Sequence, residues 1–440
     1  MTTISQIELY HVRIPLKKTF YPSWIPGYPS TDNRFDLICI TTRSGVKGYS
    51  AGPAISNERR GLGDLIAPYL MGVDVFDMDL LVQRLREVAY LGVRANWIEP
   101  AFWDIQGKIK DKTVYELFGC KTETVELYAS TGEVKTPEKC IEEAEQRYEE
   151  GFRTIKLRVH DFDPKEDVRQ VEAVAKTLGN KIKIGVDANQ GWRVTIIKDA
   201  PLWDLDRAKY FADACYDLGV AWIEEPLPMD DYGELSRLTQ YSRVPISGGE
   251  IQTNGYPELR MMIERKCYDI FQPDSIMTGG IRQTLDVAAC CREHGLGFSP
   301  HTWTNGIGFA VNLQVLLASG FSRKKPLEYP LNPPSWTEEK RDGLLKKPFV
   351  HDHGFIRPSV LPGLGFDIDP TALERFGHRF FHMNQRKLFF HVIKDKGAMT
   401  ALKLQYNKSK HGPSAGKKQD LETFAQDKSA RLNAPQKHKE

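Results

Sequence analysis

The stretch TIKLRVH, residues 154–160, reads as a β-strand. Thr154, Ile155, Leu157 and Val159 suit a pleated, half-buried surface. Strand side chains alternate between faces, so Lys156, Arg158 and His160 share the other one. Three cation-capable groups on one face of an apolar strand are costly unless they meet negative charge. The surrounding sequence must therefore supply both a sheet and carboxylates.

A repeating rhythm extends from this strand in both directions. Strand candidates are VELYAS (125–130), TIKLRVH, KIKIGVDAN (181–189), VAWIEEP (220–226), VPISGGE (244–250), DIFQPD (269–274), LGFSPH (296–301) and KPLEYP (325–330). Amphipathic helical segments separate them. The helix between the first two opens at Pro137 and stops at Gly151, as helix-end chemistry favours. Eight strands alternating with helices predict an α/β fold, a (β/α)-barrel; an open doubly wound sheet is the alternative. No glycine-rich phosphate fingerprint follows an early strand, which speaks against dinucleotide binding.

Residues 1–124 read as an N-terminal α+β unit, with alternating strands at 4–13 and 35–42 and a mostly helical stretch over 58–120. The segment KKTFYPSWIPGYPSTDNR (17–34) between those strands is either a cover over a site or a surface meander. The barrel is expected over 125–330. Residues 331–382 read as turns and short strands packing back on the N-terminal unit. Residues 383–440 form a basic tail expected to be largely disordered: 13 Lys or Arg against 5 Asp or Glu give it +8, leaving −6 for the rest of a chain of net +2. The solvated reading of this tail is preferred to nucleic-acid binding, since it holds few aromatic residues for stacking.

Hydrophobic content of 41% and charged content of 27% are ordinary for a globular protein. Seven cysteines, none in a CxxC pair, fit a reduced, cytoplasmic protein. No basic-then-apolar leader pattern opens the sequence, and no apolar run is long enough to span a membrane. A homo-oligomer is expected.

Acidic residues collect at strand ends. Asp187 closes the third strand, Glu224 and Glu225 the fourth, and Glu250 the fifth. Carboxylates from three consecutive strands converge at one barrel mouth and offer hard oxygen ligands suited to Mg²⁺. They also answer the cations of the second strand. Asp274 and His301 end the sixth and seventh strands, where the acid can fix the imidazole tautomer and raise its basicity. Glu328 belongs to the eighth. The segment QGWRVTIIKDAPLWDLD, after the third strand, walls the pocket or is simply surface.

Here the sequence resembles the mandelate racemase / muconate lactonizing enzyme group of the enolase superfamily over about residues 4–380. AFWDIQGKIKDKTVYELFG (101–119) is similar to the helical signature closing that family's capping domain. VDANQGW, WIEEP, GGE, QPD, SPH and LEYP then follow in family order, and PGLGFDID (362–369) resembles its C-terminal close. The resemblance implies a modified TIM barrel with an α+β cap built from both ends of the chain. It also implies Mg²⁺ on Asp187, Glu224 and Glu250, with Glu224 preferred to Glu225 as the first Glu of IEEP. Asn189 matches an accessory polar position, Asp274 and His301 match a catalytic dyad, and Glu328 matches an acid that bonds the substrate carboxylate.

One departure is informative. The family commonly carries Lys-x-Lys on the second strand, its second Lys a base. Here the motif is Lys156-Leu157-Arg158. An Arg side chain has a pKa above about 12, and neutralising it at pH 7 costs roughly 7 kcal/mol at about 1.36 per pK unit. Arg158 is therefore read as an anion clamp or electrophile and Lys156 as a contact to the substrate carboxylate. His160 is read as a polar residue at the strand exit. With His301 as the one supported base, the expected function is a Mg²⁺-dependent lyase. It removes the proton α to the carboxylate of a sugar acid, an aldonate or aldarate, and eliminates the β-hydroxyl, giving a 2-keto-3-deoxy acid. A racemase, epimerase or cycloisomerase is the alternative, and a non-catalytic binding protein a third.

Overall fold

The computed structural model describes residues 2–54, 60–121 and 123–410. The chain opens with β1 (Ile4–Phe20), β2 (Ser30–Thr42) and β3 (Lys47–Pro53). Helices follow at Arg60–Leu70, Met78–Tyr90 and Glu99–Lys110. The barrel strands are β4 (Val125–Ser130), β5 (Thr154–Arg158), β6 (Lys183–Asp187), β7 (Trp222–Glu224), β8 (Ile246–Gly248), β9 (Ile270–Phe271), β10 (Gly297–Phe298) and β11 (Leu327–Pro330). β12 (Phe355–Ile356) and β13 (Gly377–Asn384) come last. Each of the eight expected barrel strands is present, although most are shorter than their apolar runs.

β4 to β11 are parallel and lie in the order β10-β9-β8-β7-β6-β5-β4-β11, so the last of them sits beside the first and the sheet curls round. Among the described residues no ladder joins β10 to β11; the Ser299 hydroxyl donates to the Pro326 carbonyl at 2.9 Å across that seam. Registers place Lys156 beside Gly185, Arg158 beside Asp187, and Asp187 beside Glu224. Gly185 is required by close approach, since a Cβ there would lie 2.2 Å from the Trp222 indole.

The cap is a four-stranded antiparallel sheet in the order β13-β1-β2-β3. β3 escaped the sequence reading because KGYSAGP carries glycines and a proline in place of β-branched residues. The reason for the glycines is the chain beneath, the helix Glu99–Lys110 and the short turn Asn96–Ile98 that leads into it. A Cβ at Gly48 would meet Ala101 O at 2.2 Å, and one at Gly52 the Trp97 ring at 2.4 Å. β13 pairs with β1 from Gln6↔Asn384 to Val12↔Gly377. The expected tail needs correction over its first part. Met383 lies within β13, helices occupy Gln385–Lys396 and Ala398–Lys410, and Leu388 and Ala401 are buried. Leu388 and Val392 stand one helical turn apart and pack on the core, which a count of charges does not register. Residues 411–440 lie outside the described residues. No helix among the described residues is long and apolar enough to cross a membrane, and all seven cysteines are free.

One carboxylate locks cap to barrel. Glu99, 1% exposed, accepts from the backbone N–H of Ile281 at 2.8 Å and of Arg282 at 3.1 Å, and from Trp103 Nε1 at 2.7 Å. It thus caps the barrel helix Gly280–Glu293 from another domain, satisfying N–H groups that a helix start leaves open. Burial pushes its pKa up to about 7 against the pull of these donors. Replacing Glu99 by Ala leaves those donors buried and unpaired, so a loss of about 2–3 kcal/mol is expected. Urea unfolding of the full chain at pH 7 measures it, and an unchanged midpoint contradicts the capping role.

Candidate active site

Lys156 and Arg158 reach the acids, and His160 does not. Lys156, fully buried, points into the barrel, with Nζ 2.6 Å from Glu224 Oε1, 2.6 Å from Glu328 Oε1 and 3.5 Å from Asp187 Oδ2. Arg158, one strand repeat higher, bonds Asp187 through Nη1, Asn189 Oδ1 at 3.3 Å and the Thr131 carbonyl at 2.7 Å. Its guanidinium also lies 5.4 Å from the Trp24 ring and 5.7 Å from that of Trp303. His160 does not join the acids. Its Nε2 is 2.9 Å from the Ser23 carbonyl, where burial lowers its pKa, and it fastens the capping loop. The negative partners implied by TIKLRVH are thus Glu224, Glu328 and Asp187.

These ions set one another's charge. Burial alone would lower the Lys156 pKa, but Glu224 and Glu328 raise it, so the amine stays an ammonium. Burial likewise opposes ionisation of Glu328, yet Lys156, His301 and Arg158 hold its pKa down to about 2. For Asp187 burial wins over Arg158, and its pKa rises to about 7.

Across the mouth, His301 Nδ1 lies 3.0 Å from Asp274 Oδ2, and Nε2 lies 3.2 Å from Glu250 Oε2 and 4.0 Å from Glu328 Oε2. Burial would lower the imidazole pKa; Glu250, Glu328 and Asp274 override it and push it up to about 10. Asp274 is fixed in turn by Asn312 Nδ2 at 2.9 Å and by the Ile276 N–H at 2.8 Å. Asn312 also donates to the His301 carbonyl at 2.8 Å. The sequence reading missed Asn312. Its signal was an amide within GIGFAVNLQVLLAS, a helix buried on every side.

The capping segment is a cover. Ser23 Oγ donates to Asn189 Oδ1 at 2.6 Å, and Ser23 N–H to the Gly132 carbonyl at 2.9 Å. Phe20 stacks on Trp303 with centroids 5.6 Å apart, and Trp336 packs on both. After the third strand, Trp192 Nε1 donates to Glu250 Oε1 at 3.0 Å, so that segment does wall the pocket.

Among the described residues, no three His, Cys, Asp or Glu side chains are gathered as a ready metal cluster. The carboxylates of Asp187 and Glu224 hold Lys156 and Arg158, while Glu250 turns to Trp192 and His301. A divalent cation nevertheless suits this mouth. Glu225 is 1% exposed, and neither carboxylate oxygen has a hydrogen-bond partner. Burial, and then the charges of Glu250, Asp187 and Glu224, raise its pKa far above the usual range. A carboxyl so buried and without a donor ionises only if positive charge joins it, and with Asp187, Glu224 and Glu250 around it the mouth offers hard oxygens. Local backbone strain marks the same place. Asn189 and Glu225 both have positive φ, 48° and 47°. The Gln190 N–H donates to the Glu225 carbonyl at 2.8 Å, tying the two strand exits together.

A parallel (β/α)-barrel with acids at its strand ends, covered by an α+β cap from both chain ends, is an enzyme architecture. Residues 14–119 match the mandelate racemase / muconate lactonizing enzyme N-terminal domain, and residues 139–372 match the enolase C-terminal domain-like family. The chain belongs to the enolase superfamily, in its mandelate racemase / muconate lactonizing enzyme group. Enzymes of this superfamily depend on Mg²⁺. D-galactarolactone cycloisomerase of Agrobacterium fabrum is 27% identical over 372 residues, 79% of this chain and 94% of that one. L-talarate/galactarate dehydratase of Salmonella typhimurium is 28% identical over 360 residues, 78% of this chain and 83% of that one. Its structure, solved with Mg and L-lyxarohydroxamate, superposes with a TM-score of 0.73 at 23% identity, covering 87% of this chain and 94% of that one. N-succinyl-L-Arg/Lys racemase of Bacillus cereus is 26% identical over 390 residues, 84% of this chain and 97% of that one. Relatives of similar identity thus carry three reaction names.

Glu224→Gln is expected to weaken Mg²⁺ binding in calorimetry at least tenfold more than Glu225→Gln. Equal losses would place Glu225 among the ligands.

Proposed function

We propose that this enzyme is a Mg²⁺-dependent sugar-acid dehydratase, taking an aldonate or aldarate to its 2-keto-3-deoxy acid. The observation that carries the reading is the fixed Arg158. Held by Asp187, Asn189 and the Thr131 carbonyl, it is a permanent cation, which leaves His301 as the base. Reactions that invert a carbon centre call for a base on each face; elimination needs one.

Asp187, Glu224 and Glu250 would hold the Mg²⁺, which supplies Lewis-acid stabilisation of charge on the substrate carboxylate. Lys156, an ammonium throughout, adds positive charge beside the same carboxylate, and Glu328 holds that ammonium in place. Asp274 accepts from the His301 Nδ1–H; a cation held by Glu250 would offset the negative charge that raises the imidazole pKa and so free Nε2 to take the α-proton. The same Nε2 then returns the proton to the β-hydroxyl, which departs as water when the elimination is syn. The resulting enol tautomerises to the 2-keto acid. Arg158 and Asn189 bind oxygens of the substrate away from the reacting carbons. The capping loop closes over them through Ser23 and Trp24 and excludes water.

Cycloisomerisation is the second reading, because it too runs on one base and the Agrobacterium relative carries that name. Incubation with a panel of sugar acids and Mg²⁺ in D₂O, following 2-keto acid and α-deuterium, separates the two. His301→Asn is expected to lower turnover by at least 10³-fold, within reach of losing a general acid–base group. Arg158→Lys is expected to raise KM more than it lowers kcat, since the charge stays and the planar fork is lost. Product formation by His301→Asn at near wild-type rate would refute the one-base scheme. A Mg²⁺-dependent product without the 2-keto group would favour cycloisomerisation.

A further inference from the structure

At the other end of the barrel the strands begin, and a cavity of about 230 Å³ opens into the axis there. At about 30 Å³ per water it has room for roughly seven waters, or an organic molecule of three or four carbons. Its rim is basic: Lys183, Lys324 and Lys325 stand against Glu126. Lys183 is the first residue of β6, and Lys325 lies two residues before β11. Neither lysine makes an ion pair among the described residues. Each is near enough to the other that burial and the Lys183 charge lower the Lys325 pKa.

The inner wall has a different chemistry. Tyr128 and Gln272 line it, and the Tyr128 hydroxyl and Gln272 Oε1 are buried without a hydrogen-bond partner. Gln272 Nε2 donates to Glu224 Oε2 at 2.9 Å, which fixes the amide and leaves Oε1 as an open acceptor. The Trp222 indole supplies an apolar face between rim and wall. Cations at the mouth and an acceptor at depth require a molecule with an anionic end and a hydroxyl end.

We propose that the N-terminal mouth of the barrel is a second ligand site for a small hydroxycarboxylate, its carboxylate between Lys183 and Lys325 and a hydroxyl donated to Gln272. This site is separate from the acid-lined mouth and does not depend on the reaction assigned there. Trp222 Nε1 and Gln272 Nε2 both donate to Glu224 Oε2, at 3.3 and 2.9 Å, so the ligand would touch the side chains that position an active-site carboxylate.

The test is a calorimetric titration of the full chain with glycerate, in EDTA to remove divalent metal and at 150 mM NaCl. One glycerate per chain is expected to bind, and the Lys183→Ala/Lys325→Ala double variant is expected to bind at least tenfold more weakly. His301→Asn is expected to bind as the wild type does. Propanoate, which lacks the hydroxyls, is expected to bind at least fivefold more weakly than glycerate. The lysines make no ion pairs among the described residues, so the double variant should keep its melting temperature; Lys183→Gln alone is the second variant if it does not, with at least a threefold loss expected. Absence of binding, or binding indifferent to the lysines, overturns the site. Loss of binding in His301→Asn assigns glycerate to the acid-lined mouth and also overturns it. Equal affinity for propanoate removes the hydroxyl contact on which the ligand class rests.

Discussion

A single buried ammonium organises the barrel interior. Lys156 lies at full burial between Glu224 and Glu328, with Asp187 close by. Such a charge survives only with partners in place, and the loss of one member of a buried ion pair costs about 3–5 kcal/mol. The requirement spreads outward. The β5–β6 register that sets Arg158 beside Asp187 also sets Lys156 beside Gly185, whose missing side chain admits the Trp222 indole. That indole donates to Glu224, and Ser130 donates to Glu328 at 2.8 Å. Barrel interiors are usually layers of branched apolar residues. Here the middle of the barrel is a hydrogen-bonded ionic lattice, and the apolar core lies outside it, between strands and helices.

That lattice explains the division of labour at the mouth. In the proposed reaction the cations of β5 stay with the charges that hold them, and proton transfer would fall to a residue on the far side. His301 is held by Asp274 and, through Asn312, by a helix with no exposed residue. A group that must present one nitrogen in one tautomer gains from being mounted on the stiffest element available.

Much of this was legible in the sequence because strand geometry is periodic. Alternation along TIKLRVH placed Lys156 and Arg158 on an interior face, and acids at the ends of successive strands identified the mouth. The parts that were not legible depend on contacts distant in sequence. β3 is specified by the helix packed beneath its glycines rather than by its own propensity. Glu99 reads as an ordinary helix-start acid until the helix it caps, some 180 residues later, is seen. The family order separates Glu225 from Glu224, but its positive φ and unpartnered carboxylate appear only in the fold. His160 shares a strand face with Lys156 and Arg158 in the sequence, yet it lies beyond the last paired residue of β5 and turns to the cap.

The pairing of β1 with β13 has a consequence for synthesis. β1 leaves the ribosome long before β13, and its outer edge waits for that later strand before it is covered. At about 5–20 residues per second, that interval is roughly 20–70 s. Throughout it the backbone of Gln6–Val12 presents unpaired donors and acceptors, the kind of edge that recruits other chains. The nascent protein can assemble its barrel while its cap is still open. A chaperone that shields extended segments would therefore act on β1, far from the residues being added.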